Sequence, residues 1–388
     1  MDTVAATDTP VTLIELPVAD SACAQVIGPA WQRVYDLARA EQIEVRGHAD
    51  YLAPTTADYR DNVIQPRHLE FPFYQFAITT VTEPVSFNDL EPDDVVGTAS
   101  AVLPQKENTF TSHIGMYIDP DRRRRGFGRA GLGELRGFLR EHGRTQAESR
   151  PNTSISDDGE AITPRIGIGT LPAGDPTVAF LQSAGFGLEM VEKVSELDLE
   201  TFSGRLVSGA IEPPPLADSL EILIYCNDII GKITPEFVAA VNAFNADHPQ
   251  SDSAAAFTTT VEDYTRNLQA SADRGNDRRI VIIRERDTQQ VVATTHAFFR
   301  SKGSVAQQVD TWVRSDYRER GLATLAKIEL YRELLIHQPR IKRIQTENAE
   351  SNVGMCKVND RLGFEVTAAN SHWVSVYDGE QWVPGGSR

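Results

Sequence analysis

HIGMYIDPDRRRRGFGRAGLGELRGFL, from His113 to Leu139, and VDTWVRSDYRERGLATLAKIELYRELL, from Val309 to Leu335, decide how this chain is read. Each joins a strand-like run to a helical run through Arg-x-x-Gly-x-Gly/Ala, and the glycines Gly126 and Gly321 lie 195 positions apart. Downstream, a Gly-Phe pair follows each copy, Gly185-Phe186 in SAGFGLEM and Gly363-Phe364 in RLGFEVTA, 178 positions apart. The order of features is duplicated, so the chain is an internal repeat before it is anything else.

Between the copies lies SGRLVSGAIEPPPLADS, where Pro213, Pro214 and Pro215 donate no ladder hydrogen bonds and favour an extended connector. A length of 388 residues suits two domains, each with its own core. The expected division is 1–205 for the first, 206–216 for the linker and 217–388 for the second. After the linker, SLEILIYC restarts with a strand-like run and a helical stretch from Thr234 to about Phe244, as VTLIELPV and the Trp31 region open the first half. FYQFAIT with VVGTASAVL, and RRIVIIRE with VVATTHAFF, read as antiparallel strand pairs. Leu325, Ile328, Tyr331 and Leu335 keep helical spacing, as do Leu132, Leu135 and Phe138, so both post-glycine segments are amphipathic helices packed on a sheet. Gly131, Gly133 and Gly137 weaken the first of them. The expected class is α+β (α/β), two tandem units, each a mixed, mostly antiparallel sheet flanked by helices. The polar stretch from Arg144 to about Pro164 has no periodicity and reads as a long surface loop.

Composition removes several classes of function. A net charge of −17 repels polyphosphate backbones, which argues against nucleic acid and suits a cationic or amine-bearing substrate. No apolar run approaches the roughly 18 residues that span a bilayer, so no membrane partner is expected. The opening MDTVAATDTP has no basic segment followed by an apolar one, which makes the cytoplasm the expected compartment. Cys23, Cys226 and Cys356 are scattered, as are the eight histidines, so neither a disulfide framework nor a metal site is expected. The sequence does not speak to oligomeric state.

A strand-to-helix turn of this composition supplies charge, backbone amides and room in one place, which is what a pyrophosphate needs. In the second copy Arg318 and Arg320 reach toward the phosphates, Gly321 and Ala323 let the backbone approach, and Leu322, Ala323 and Thr324 lend first-turn amides. Arg123, Arg125, Gly126 and Gly128 take those places in the first copy. The plainer alternatives are a glycine turn that merely starts a helix and a solvated basic face at Arg122–Arg125. GFGRAG at Gly126–Gly131 spells G-x-G-x-x-G in the first copy, but the second copy has no such match and neither has the Gly-Lys-Ser/Thr of a P-loop, so coenzyme A fits the shared feature better than NAD or ATP.

These residues resemble motif A of the GNAT (GCN5-related N-acetyltransferase) superfamily, Q/R-x-x-G-x-G/A. YRERGLA at Tyr317–Ala323 is a close match, and TENAESNVGMCKVNDRLGF resembles the family's later segment. In the first half RRRRGFGRA fits motif A, while PTVAFLQSAGF keeps only the Gly-Phe landmark. The two-copy arrangement is similar to tandem acetyltransferases such as mycothiol synthase, in which the second copy is typically catalytic. The resemblance implies direct transfer of acetyl from acetyl-CoA to a primary amine on a small molecule, without metal. A noncatalytic acyl-CoA-binding module is the alternative, and a protein-lysine acceptor is a third.

On that resemblance, the backbone amide of Val313 beside Trp312 is the candidate oxyanion donor. Asp310, placed by strand alternation on the face of Gln308 and Trp312, is the candidate base, or else an ordinary solvent-facing or paired carboxylate. Gln307 stands where a carboxylate base belongs in mycothiol synthase. Asn348 and Asn352 hold the pantetheine arm, or else cap a helix. The usual tyrosine acid is replaced by Asn359 in one half and Leu181 in the other. In the first half His113, beside Ser112, is a base by residue type, although a lone strand histidine is more often structural. The second half is therefore expected to catalyse and the first to support it.

Overall fold

The computed structural model describes residues 9–19, 28–64, 70–153, 155, 159–226, 230–247, 258–273, 275–300 and 302–385. Cys23 lies outside them, and Cys226 and Cys356 are half-buried. Two compact units form, one from 1–191 with 368–388 and the other from 192–367. The expected boundary at 206–216 therefore falls inside the second unit, which is contiguous in sequence, whereas the first unit takes its closing strand from the far end of the chain.

In chain order, the first unit has β1 (Thr12–Glu15), α1 (Ala30–Arg46), α2 (Thr56–Val63), β2 (Phe73–Thr79), β3 (Val95–Val102), β4 (Thr111–Ile118), α3 (Phe127–Glu141), β5 (Gln146–Ser149), β6 (Asn152–Thr153), β7 (Ala161–Ile162), β8 (Leu171–Pro172) and α4 (Pro176–Ser183). Strand β9 (Gly187–Asp198) leads into the second unit, which holds α5 (Leu199–Val207), β10 (Leu220–Tyr225), α6 (Pro235–Asp247), α7 (Val261–Asp273), β11 (Asn276–Glu285), β12 (Val291–Arg300), β13 (Val305–Val313), α8 (Leu322–His337), β14 (Arg343–Ala349) and α9 (Val353–Leu362). Strand β15 (Glu365–Tyr377) returns to the first unit, where β16 (Trp382–Pro384) pairs with it.

The first sheet runs β1-β2-β3-β4-β5-β15, antiparallel except for the parallel pair β4–β5. The second runs β10-β11-β12-β13-β14-β9, antiparallel except for the parallel pair β13–β14. Apolar side chains on one face of each sheet pack on the post-glycine helix. Phe76, Ile78, Ile114, Leu132, Leu135 and Trp373 share one core, and Val281, Ala297, Leu325, Ile328, Tyr331 and Ile344 share the other. Burying a large apolar side chain contributes about 1.5–3 kcal/mol, which holds each helix on its sheet and offsets the glycines of α3. Gly131 is not a defect in α3, because a Cβ there would stand 3.1 Å from Ile78, so the glycine lets the helix sit close to β2.

The expected loop from Arg144 is corrected by β5, which is buried at Gln146, Ala147 and Glu148 and lies between β4 and β15. Four residues are too short to show periodicity, and the strand is recognisable only through its partners.

Both parallel pairs are short. Strands β4 and β5 are in register from Thr111–Gln146 to Ile114–Ser149, and β13 and β14 only from Val305–Arg343 to Gln307–Gln345. Beyond these rungs the strands part, and a cleft opens beside the N-terminus of α3 in one unit and of α8 in the other.

Candidate active site

The turn at the head of each cleft has the same unusual backbone. Arg124 and Gly126 are left-handed, with φ of 63° and 90°, and so are Glu319 and Gly321, with φ of 63° and 77°. A side chain in that conformation costs on the order of 1–2 kcal/mol, so its recurrence at matching positions is a feature of the turn. Alternating hands turn successive N–H groups to one side, forming a concave nest, and the orphan first-turn amides of the helix add to it. This is an anion cradle built from backbone.

Two expected phosphate ligands are turned elsewhere. Arg123 donates through Nε to the Ile118 carbonyl (3.1 Å) and grips Glu44 of α1 with both terminal nitrogens (2.6 and 2.7 Å). Arg318 repeats the clasp, with Nε to the Val313 carbonyl (3.2 Å) and a terminal nitrogen to Asp247 of α6 (2.7 Å). Both arginines fasten the turn to its own strand. Arg125 and Arg320 remain exposed at the mouth, Arg320 stacked 4.5 Å over Tyr317 and bonded to the Asp316 carbonyl. Gly128 admits the ring of Phe180, which would lie 3.4 Å from a Cβ there. Leu322 and Thr324 bury their side chains, Ala323 is half-buried, and all three offer backbone alone.

The two cradles differ in what lies on them. Pro214 of the connector packs on Gly321, its Cβ and Cγ 2.8 and 2.9 Å from where a Cβ would sit. Ile211 anchors the same segment in the core, and the Glu212 carbonyl accepts from Arg361. Gly126 is exposed.

In the second cleft, the antiparallel pattern turns the Val313 amide away from β12. Arg314 N–H bonds to the Val292 carbonyl, so Val313–Ala293 is a non-hydrogen-bonded pair and the Val313 N–H faces the open side. Ile118–Gly97 is the matching pair in the first unit, since Asp119 N–H bonds to the Val96 carbonyl.

Asp310 does not share a face with Gln308. The register slips between Thr295 and Ala297, a β-bulge that undoes the alternation. Gln308 accepts from Tyr331 of α8, whereas Asp310 lies 3.6 Å from His296, whose ring stacks on Phe237 of α6. Trp312 joins the α6 side, donating to Asp247 (3.2 Å). Complete burial pushes the His296 imidazole down to about 3, so Asp310 faces a neutral ring.

The expected pantetheine ligands are engaged within the fold. Asn352 caps α9 by accepting from the Met355 amide (3.2 Å). Asn348 accepts from Asn359 (2.7 Å), which in turn accepts from the buried Lys327 ammonium (2.7 Å). Burial lowers Lys327 to about 7.

The first cleft contains a cluster that was missed in the sequence. His113 Nδ1 lies 3.4 Å and His372 Nε2 3.2 Å from Glu148 Oε2, and Gln146 donates to Oε1 at 2.8 Å. Glu148 was hidden in the presumed loop, and His372 is far away in sequence. The alternation of polar Gln146 and Glu148 around buried Ala147 is the one local hint. A separate groove of about 540 Å³, between 12–18 and 82–87, contains none of these residues.

Residues 31–153 match the Acetyltransferase (GNAT) family model. No curated protein matches the chain. Among solved structures, a tandem GNAT protein from the clavulanic acid biosynthesis pathway superposes with a TM-score of 0.67 at 20% identity, covering 95% of this chain and 98% of that one. A GCN5-related N-acetyltransferase from Sphaerobacter thermophilus gives 0.55 at 15%, covering 94% and 95%. The matches share this fold over nearly the whole chain. Among the described residues no helix is long and apolar enough to cross a membrane, and no group of side chains has the makings of a metal site.

Proposed function

We propose that this chain, whose residues 31–153 match the acetyltransferase (GNAT) family model and whose fold is similar to that of a tandem GNAT protein, is an acyl-CoA-dependent N-acyltransferase that moves acetyl from acetyl-CoA to a primary amine of a small molecule. The observation that carries this reading is the left-handed nest, present twice, opening beside a parted parallel strand pair. The nest receives the pyrophosphate, the parted strands admit the pantetheine arm, and an outward strand amide at Ile118 or Val313 polarises the thioester carbonyl. The amine nitrogen attacks that carbon, the C–S bond breaks with its electron pair on sulfur, and the proton lost by nitrogen balances the one gained by the thiolate. An activated thioester asks mainly for orientation and proton removal.

The first unit is the better place for turnover, contrary to the expected ranking, since its cradle is exposed while Pro214 lies on that of the second. That same contact favours a noncatalytic role for the second unit. Release of free thiol from acetyl-CoA, followed with an amino sugar, an amino acid and an aminoglycoside, tests the function. Amine-dependent release supports it, and binding without release returns the chain to a sensing module.

A further inference from the structure

The row His113–Glu148–His372 crosses three neighbouring strands, β4, β5 and β15, on the sheet face opposite α3. His113 and Glu148 form the second-last rung before β4 and β5 part, so they stand at the root of the cleft. His113 is half-exposed, with 48% of its side chain accessible, whereas Glu148 and His372 are 9% and 3% accessible. A carboxylate in that position is costly unless its oxygens are satisfied. Here one oxygen takes the Gln146 amide and the other faces two imidazoles.

The hydrogen bond to Glu148 fixes the tautomer of His372. His372 donates from Nε2, and its Nδ1, buried without a hydrogen-bond partner, is left as an acceptor. His113 Nδ1 lies in ion-pair range of the same oxygen, and turning its N–H onto Glu148 would keep the Nε2 lone pair free to take a proton. The 3.4 Å separation is a few tenths longer than a normal N–H···O bond, a gap that closes readily as a bound substrate orders an exposed ring.

The duplicated unit serves as an internal control. The rung that corresponds to His113–Glu148 is Gln307–Gln345, and the counterpart of His372 is Val194. The same architecture holds together there without a titratable group in any of the three places, so folding does not require them.

We propose that His113 is the general base of acyl transfer in the first unit, with Glu148 and His372 as positioning residues, the latter delivered by the strand that returns from the far end of the chain. This deepens the acyltransferase reading and rests on it. His113 Nε2 removes a proton from the acceptor ammonium or from the attacking amine, and the imidazolium so formed is stabilised by Glu148. Burial lowers His113 from its ordinary value, the Glu148 charge opposes that, and Arg150 and His372 add to the lowering. Burial by itself raises Glu148, but the His372 hydrogen bond, with His113 and Gln146, brings its carboxyl below the usual value. The base is therefore in its active, neutral form at neutral pH, and kcat/KM climbs as pH rises through a limb below 6.5.

The test is CoA release from acetyl-CoA with the amine panel, as a function of pH, in the full chain. His113→Gln, which copies the second unit, is expected to lower kcat about 10²- to 10⁴-fold, with acetyl-CoA affinity by calorimetry unchanged. The acidic limb disappears, and added imidazole restores part of the rate to His113→Ala. Glu148→Gln, by removing the charge that raises His113, moves the limb to lower pH, and His372→Asn lowers kcat with KM held. An undiminished rate and unchanged limb in His113→Gln would overturn the assignment while leaving the acyltransferase reading intact. A wild type that neither binds acetyl-CoA nor releases thiol would remove both.

Discussion

At Lys327 a single side chain sets a pH dependence for the second unit. Its ammonium is buried with Asn359 as partner, and burial brings it down to about 7, against roughly 10.4 for a free lysine. Between those values the unfolded chain holds a proton that the folded chain lacks, so stability rises with pH across that window. Urea midpoints at pH 7 and 9.5 should show this rise in the wild type and not in Lys327→Met. The same slope in both proteins would mean that another group titrates. The left-handed side chains offer a second test. Arg124→Gly and Glu319→Gly relieve a strained backbone and should hold or raise stability by up to about 1 kcal/mol in thermal unfolding, whereas Gly126→Ala should cost about 1–2. A loss from both glycine variants would show that the native side chains, and not the turn, matter. Residue types at the turn were legible in the sequence, but their roles were only partly so. Arg123 and Arg318 look like phosphate ligands until Glu44 and Asp247 are seen beside them, and those acids come from distant helices. Asp310 was misplaced because one bulge residue reverses every later side chain on the strand.

At the scale of elements, β2, β3, β11, β12 and both post-glycine helices could be read directly from apolar runs and spacing, whereas the two longest strands, β9 and β15, were not. FYQFAIT corresponds to β2 residue for residue, and helix α6 was placed to within a few residues. Also missed was β5, four residues whose one local hint is the alternation of Gln146 and Glu148 around Ala147, and with it the carboxylate that organises the first cleft. Its strand character is testable, because Ala147 is fully buried against the α3 core. Ala147→Lys in a surface loop would cost almost nothing, whereas in a strand core it should destabilise by several kcal/mol. A denaturation midpoint unchanged by this substitution would return the segment to the surface. The connector was legible as extended, but its proline contact with Gly321 was not, since nothing in PPP names the surface it meets.

For the whole molecule, the duplication was visible in the motifs, while the return of the last strand to the first unit, and the early start of the second at 192, were not. Sequence order suggested that each half completes itself; instead 192–198 closes the second sheet and 368–377 the first. The consequence is that truncation after Thr367 removes Trp373 from the first core and His372 from its cluster. Hydrogen exchange in β4 and β5 should then lose protection, and retained protection would show that the first unit folds without its returning strand. The central claim is that the open cradle in the first unit receives the diphosphate of acetyl-CoA. The most direct measurement is calorimetric titration of acetyl-CoA into the wild type and into Gly126→Glu, which sets a carboxylate in the nest. The account predicts saturable binding in the wild type and loss of that site in the variant. No uptake by the wild type, or equal uptake by both, would contradict it.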